Sequence, residues 1–395
     1  MKVAYVIMQF PAPSETFASS DVRILKEMGV DVSVYALRAA HVNHRSLTQQ
    51  RGLEAVNICS VGFLRNLVGL FYTLTQPALF FSLLTILVKK DIRKVKHFFK
   101  MLLLIPSSFY IFQQIKNNPP DVVHLFWGHY PSLVGFLLME KLPSVKVTMF
   151  LGAYDLEYSL GISVYVANKV HALFTHAYFN IGQLKASNIS NPNTYVVHRG
   201  VDVSRLLKVI SEGGRRVSNT WLSAGRLLRS KGFDEVIKLF QAAGHSGGSA
   251  ALIIAGDGPE RSALLNMISR AGMTDDVRLV GHLAHEKLVG LMASSDFFFL
   301  LSAKPGERLP NAIKEAMLSG AICFTTRTPG IEELIEHEVT GFIVDHANQR
   351  ICLDLIKSLT LDKKEKIRVA AFEHIVEKFD ARKNMDKYVS LWSRL

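Results

Sequence analysis

The chain has 395 residues, 49% hydrophobic and 20% charged, which marks it as globular and long enough for two domains. Its three cysteines, Cys59, Cys323 and Cys352, stand far apart with no CxxC pair. That excludes a disulfide framework or a zinc site and suits reduced thiols in a cytosolic compartment. The formal charge of +12 is uneven: residues 1–200 carry 19 Lys and Arg against 10 Asp and Glu, so +9 lies in this half and +3 in the remainder. Such a bias fits an anionic partner, a membrane surface or a nucleic acid, with plain solubility charge as the alternative.

The chain opens directly on a strand-like run over 2–8, so no secretory leader is expected. A loop over 9–17, a helix over 21–28 and a strand over 31–37 complete a β-α-β unit with a right-handed crossover. The loop lies at the carboxyl end of the first strand, where open α/β sheets bind ligands, but it carries no GxGxxG fingerprint. Residues 61–112 break the rhythm. From 67 to 88 there is no charged residue, although Pro77 and six polar positions interrupt the run. Lys89, Lys90, Arg93, Lys94 and Lys96 follow, and then another apolar stretch. This pattern predicts an insertion of helices lying in a membrane interface, with a true span or a buried apolar hairpin as the other readings.

The segment 121–129 reads as a strand running into a loop, with His124 and His129 as catalytic candidates at its carboxyl end. A strand over 146–150 closes on Tyr154 and Asp155, and strands over 172–179 and 194–197 finish the first domain, 1–202. Residues 203–217, glycine-rich and charged at 212–216, read as a linker. The second domain, 218–375, alternates strands over 220–224, 251–255, 277–280 and 297–301 with helices, so a parallel sheet covered on both faces is expected. Two such domains leave a cleft, a usual place for ligands. A terminal helix within 376–395 is expected to pack back on the first domain.

The strand ending at 301 passes through a polar loop into a helix that starts near Asn311 and stops at Gly320. That order builds an anion site from unpaired backbone N–H groups. Glu307 in the loop and Glu315 in the helix make sense there as acceptors for sugar or ribose hydroxyls. Two ordinary surface glutamates are the plainer reading. Arg226 and Lys231 flank another strand-to-helix loop and suit a diphosphate. Gly256, Gly258 and Gly281 allow backbone to approach a flat nucleoside. The chain has no Walker A pattern and no clear carboxylate pair for magnesium, so no metal is expected and the cations would neutralise a leaving diphosphate.

These residues carry a resemblance. Gly225-Arg226-Leu227, Lys231-Gly232-Phe233-Asp234, Gly256-Asp257-Gly258-Pro259-Glu260-Arg261, Glu307-x7-Glu315, Gly330-Ile331-x-Glu333-Leu334-Ile335 and Thr340-Gly341-Phe342-Ile343-Val344 resemble the retaining family-4 glycosyltransferases of GT-B fold. The likeness covers nearly all of 220–345. In the first half, Pro13-Ser14-Glu15-Thr16-Phe17 is similar to the "SETF" branch that builds bacterial exopolysaccharide and lipopolysaccharide. The resemblance implies two Rossmann-like α/β domains across a cleft. It implies that Arg226 and Lys231 hold the donor diphosphate, with Gly225, Gly256, Gly258, Gly281 and His282 lining the nucleotide site. Glu315 would take the ribose, and Glu307, beside Arg308, Leu309, Pro310 and Asn311, the transferred sugar and phosphate. Ser14, Glu15, Thr16, His124, His129, Tyr154 and Asp155 would face the acceptor.

Three departures stand out. Arg308 replaces a usual glycine and sets a cation beside the sugar pocket. His124-Leu125-Phe126-Trp127 lacks a second histidine, so His129 takes its place or His124 serves alone. A glycine pair is missing at 12–14. The expected enzyme transfers a sugar from a nucleoside-diphosphate sugar, with no other cofactor and by front-face attack, to a lipid-linked glycan or polysaccharide acceptor. It is expected in the cytoplasm, peripheral on the inner face of the cell membrane. A catalytically silent GT-B scaffold and a basic nucleic-acid-binding protein are the rivals; the latter lacks any recognition motif, and no nucleic acid is expected as a partner.

Overall fold

Each apolar run flanked by turn residues becomes a parallel strand, and each intervening segment a crossover helix. The computed structural model describes residues 1–13, 16–212, 216–244, 251–303, 307–345 and 348–395. Ser14 and Glu15, expected on the acceptor side, lie outside them. The chain forms two units, Met1–His198 with Arg382–Leu395, and Arg199–Ala381.

The first unit starts with β1 (Lys2–Ile7), α1 (Thr16–Glu27), β2 (Asp31–Ala36), α2 (His44–Gln50) and β3 (Asn57–Ser60). Three consecutive helices follow, α3 (Phe63–Leu74), α4 (Pro77–Asp91) and α5 (Val95–Asn117). Then come β4 (Val122–Phe126), α6 (Ser132–Lys141), β5 (Lys146–Leu151), α7 (Ala153–Tyr158), α8 (Gly161–Ala167), β6 (Ala172–Thr175), α9 (Phe179–Ala186) and β7 (Thr194–Val196). The strands pair in parallel in the order β3-β2-β1-β4-β5-β6-β7. The order reverses between β1 and β4, where Tyr5 lies beside His124. The 172–179 strand ends at Thr175, because the apolar residues after it turn into α9 and are not paired with the sheet.

The second unit runs α10 (Val203–Ser211), β8 (Thr220–Ala224), α11 (Phe233–Ala242), β9 (Ala251–Ala255), α12 (Arg261–Arg270), β10 (Val277–Gly281), α13 (His285–Ser294), β11 (Phe297–Leu300), α14 (Asn311–Leu318), β12 (Ile322–Thr326), β13 (Phe342–Val344), α15 (Gln349–Lys357) and α16 (Leu361–Lys378). Its order is β10-β9-β8-β11-β12-β13, with the reversal between β8 and β11. Trp221, Phe299, Phe324 and Phe342 stack in succession across β8, β11, β12 and β13, with ring centroids 4.3, 5.1 and 4.6 Å apart. These rings, joined on the same face by Phe297 of β11, hold the register from the core side.

The linker reading of 203–217 is corrected here. Residues 203–211 form α10, with Asp202 accepting from the Arg205 N–H at 3.1 Å as its cap. Val203 and Leu206 are buried, and Arg205 reaches Glu286 on α13 at 3.3 Å. The apolar spacing of 203, 206, 207 and 210 was a helix signal outweighed by the glycines just beyond it.

The chain ends in α17 (Ala381–Trp392), whose residues from Arg382 onward belong to the first unit. Its Tyr388 stacks on Phe174 at 4.3 Å, and Trp392 lies 5.4 Å from the His124 ring.

Helices α3 to α5 settle the shape of the apolar stretch. Residues 67–88 do not make one helix: Gln76 and Pro77 break it, and α3 and α4 meet at 99°. Among the described residues α5 is long and apolar enough to cross a membrane, but half of its apolar window is buried in the protein. A helix on a water-soluble domain buries its apolar stripe. Helix α3 does the reverse. It buries Gly69 and Thr73, with the Gly69 backbone so close to Pro106 that an added Cβ would fall 2.0 Å from its carbonyl oxygen. Meanwhile Phe63, Leu64, Phe71 and Leu74 stand outward, each more than 60% exposed.

Candidate functional site

Loops at the carboxyl ends of β8, β9, β10 and β11 gather the expected donor residues on one edge of the second sheet. Backbone hydrogen bonds stitch them together. Leu227 N–H donates to the Asp257 carbonyl at 3.0 Å, Glu260 N–H to Leu227 at 3.2 Å, Gly256 N–H to Gly281 at 2.8 Å, and Ala303 N–H to Ser230 at 2.9 Å. Gly256 sits at φ 147°, and a Cβ there would fall 1.8 Å from the Gly225 carbonyl oxygen. Gly256→Ala is therefore expected to force the two loops apart, lowering both the melting temperature and nucleotide affinity in a thermal-shift titration.

The reversal of strand order between β8 and β11 opens a crevice, and the loops beside it carry the charged pair. Lys231 Nζ meets Glu307 Oε1 across 76 positions of sequence; the side chains are 19% and 11% exposed. The other oxygen of Glu307, Oε2, is buried with no hydrogen-bond partner among the described residues. Arg226 is exposed, as is His282. Arg308, expected to reach toward a sugar, is 9% exposed. Leu309 takes a left-handed φ of 48° just before Pro310, a conformation that costs a leucine about 1–3 kcal/mol and that surrounding structure must hold. The chain then enters α14, and its first N–H groups have no intrahelical partner.

Two residues of this edge escaped the sequence reading. His285, the first residue of α13, places Nε2 3.0 Å from Glu315 Oε1. The hydrogen bond to Glu315 raises the His285 pKa above its ordinary value, opposed by burial. The pair therefore stabilises fully below pH 6.5 and loses its effect as pH rises through the raised pKa. The signal was its place at a helix start four residues after Gly281.

Lys314 is the other. It is fully buried on α14, donating to the Arg199 carbonyl at 2.6 Å and to Asn311 Oδ1 at 3.2 Å. Burial, then the nearby Arg199 charge, brings its pKa down to about 7. Between that value and the ordinary lysine range the unfolded chain binds the extra proton, so this residue makes stability rise with pH. The difference in unfolding free energy between wild type and Lys314→Met is expected to change in that direction from pH 7 to pH 9.

In the first unit the expected acceptor residues divide. His129 and Asp155 come together: His129 Nδ1 lies 2.7 Å from Asp155 Oδ1, and Asp155 also accepts from the His129 and Gly152 N–H groups at 3.1 and 2.9 Å. Asp155 is nearly inaccessible and fixes the ring of the more open His129. Tyr154 is exposed on α7, and Thr16 is exposed at the start of α1. His124 is a correction. It is the third residue of β4, fully buried, with Nδ1 2.9 Å from Thr148 Oγ1 and its ring among Tyr5, Phe174, Tyr388 and Trp392. Strand alternation turns it toward α17 and away from the loop, so it is a core histidine. Among the described residues no group of three or more His, Cys, Asp or Glu gathers in a way that could hold a metal ion.

Residues 212–373, most of the second unit, match the family model described as Glycosyl transferases group 1. N-acetyl-alpha-D-glucosaminyl L-malate synthase of Bacillus anthracis is 30% identical over 36% of this chain and 37% of its own length. An uncharacterized glycosyltransferase of Haemophilus influenzae is 26% identical over 70% of this chain and 73% of its own. The match thus spans little more than a third of the first relative. Among solved structures, HepE of Anabaena in complex with UDP superposes with a TM-score of 0.73 over all of both chains at 16% identity. Two parallel-sheet Rossmann-like domains of this kind constitute the GT-B fold.

Proposed function

We propose that this chain, built around its group 1 domain, is a retaining glycosyltransferase of the family-4 type. It moves a sugar from a nucleoside-diphosphate sugar onto a lipid-linked glycan or polysaccharide acceptor in cell-surface glycan synthesis. It works without a metal or further cofactor, in the cytoplasm, peripheral on the inner face of the cell membrane. The observation that carries the reading is the Lys231–Glu307 pair with the second Glu307 oxygen buried and without a hydrogen-bond partner among the described residues. A buried carboxylate oxygen left unpaired is costly unless a ligand completes it, and a sugar hydroxyl is a donor of the right kind. Lys231, freed in part as the donor's phosphate arrives, and Arg226 would neutralise the charge that grows on the leaving diphosphate. Glu315, held by His285, would accept from the ribose. On the acceptor side His129, fixed by Asp155, is the histidine this reading uses. The departing phosphate serves as the base in front-face attack, so no enzymic nucleophile is needed.

The test is a thermal-shift panel of nucleoside diphosphates and their sugars, followed by release of the nucleoside diphosphate in the presence of lipid extract. One nucleotide should raise the melting temperature and turn over; stabilisation by none would overturn the reading. Within that assay Glu315→Gln is expected to weaken binding of the bare nucleotide, whereas Glu307→Gln should lower turnover and leave that binding nearly unchanged. Equal nucleotide affinity in both variants and wild type would remove Glu315 from the site.

A further inference from the structure

We infer that His97 and Lys100, which meet on Tyr130 in the first unit, form with the neighbouring Arg38 and Lys96 a binding site for the phosphate or diphosphate that joins a lipid-linked acceptor to its carrier. The inference rests on the proposed transferase reading and assigns a chemistry to its acceptor.

The geometry comes first. His97 Nδ1 lies 2.9 Å from the Tyr130 hydroxyl, and Lys100 Nζ sits 4.4 Å over the centroid of the same ring. Tyr130 is itself buried, so it forms a floor beneath the cations. Its ring is 5.0 Å from that of His129, which places the cluster directly beside the His129–Asp155 pair. Tyr158 closes the other side, 5.0 Å from His97, and Lys94 donates to the carbonyls of Tyr158 and Ser159, tying the start of α5 to the end of α7.

The charges are uncompensated. Among the described residues none of Arg38, Lys96, His97 and Lys100 has a carboxylate partner. Two acids of the surrounding elements are committed: Asp91 accepts from Gly161 and Ile162 N–H at 2.6 and 2.7 Å, and Asp155 holds His129, while Glu157, next to Tyr158, is exposed. Burial lowers the His97 pKa, and Lys100, Lys94, Lys96 and His129 lower it further. Lys100 is depressed by burial and then by Arg38 and Lys96. Cations crowded until they disfavour each other's charge are unfavourable alone, and a bound dianion offsets their mutual repulsion.

The position fits a lipid phosphate. On α5, Val95, Phe99 and Leu103 form an exposed apolar row at a spacing of four, and Lys96 and Lys100 form the next row. A helix with that pair of rows places its basic groups at the depth of headgroup phosphates when the apolar row enters a membrane interface. A carrier-linked phosphate would then lie beside His129, with its glycan free to extend into the site.

The experiment uses the full chain carrying Arg226→Ala and Lys231→Ala, which silences the proposed donor diphosphate site. Histidine-labelled protein is titrated by NMR with and without millimolar inorganic pyrophosphate; the His97 signal is identified by its loss in His97→Gln. Pyrophosphate is expected to raise the His97 midpoint by about one pH unit, and Arg38→Gln/Lys96→Gln/Lys100→Gln should abolish the shift. The same triple variant should bind phosphatidylglycerol vesicles more weakly than wild type but still measurably, through Lys89, Lys90 and Arg93. An unmoved His97 overturns the inference. So does a triple variant that loses vesicle binding while pyrophosphate still moves His97, since the cations would then serve bilayer headgroups. The transferase reading fails separately, through absence of nucleotide binding by the unsubstituted protein, which leaves the His97 result untouched.

Discussion

Arg226→Ala is expected to lower turnover by roughly 10²-fold or more without changing the melting temperature, and Lys231→Ala to lower both. Arg226 is exposed and has no side-chain hydrogen bond or ion pair among the described residues, so its loss should appear only when charge develops on the leaving diphosphate. Lys231 has a second duty. It is the partner of a Glu307 carboxylate that is only 11% exposed, and removing it leaves a confined anion with neither oxygen paired. Breaking one side of such a pair is more damaging than replacing both. Lys231→Ala/Glu307→Gln should therefore recover melting temperature relative to Lys231→Ala while remaining inactive. Turnover is read as nucleoside diphosphate released per enzyme, and stability by thermal unfolding without ligand. Full activity in Arg226→Ala/Lys231→Ala would remove both cations from the reaction.

The second large effect concerns the membrane. Lys89→Gln/Lys90→Gln/Arg93→Gln is expected to weaken binding to anionic vesicles by roughly 10²-fold at low salt, at about 1 kcal/mol for each basic residue near the surface. Leu64→Asp/Phe71→Asp/Leu103→Asp should abolish binding even to vesicles rich in acidic lipid, because these outward side chains supply the inserted area. Lys94 is left unsubstituted, since its ammonium is spent on the Tyr158 and Ser159 carbonyls. Cosedimentation across a salt series measures both. A chain that stays with membranes after the charge substitutions, high salt and carbonate washing would instead be spanning, with α5 as the helix long enough to do it.

Strands β8 to β11 of the second domain were legible almost to the residue, since Thr220–Ala224 and Ala251–Ala255 are fully apolar or small and end at glycine or a charged turn. The grouping of Lys231 with Glu307 followed from parallel topology, which sends every strand's carboxyl end to one edge. Strands β12 and β13 were not read from the sequence, and three further things were not legible, each for its own reason. Edge strand β3, half exposed along its length, has no apolar run to betray it. The burial of His124 depends on α17, more than 250 positions away, and nothing local separates a histidine in a strand from one at its end. The outward face of α3 cannot be deduced from its own sequence: its apolar and small residues divide only once Gly69 is seen against Pro106.

The lodging of Tyr388 and Trp392 over His124, Tyr5 and Phe174 has a consequence for synthesis. Ribosomes deliver about 5–20 residues each second, so Met1–His198 wait roughly 10–40 s for the helix that completes them. Through that interval the rings of Tyr5, His124 and Phe174 lack the cover that Tyr388 and Trp392 give them, while Arg199–Ala381 emerge as an uninterrupted stretch that can fold as it appears. The half made first is thus finished last. A nascent chain halted near residue 375 should engage hydrophobic-surface chaperones through its amino-terminal half, and release them when translation resumes.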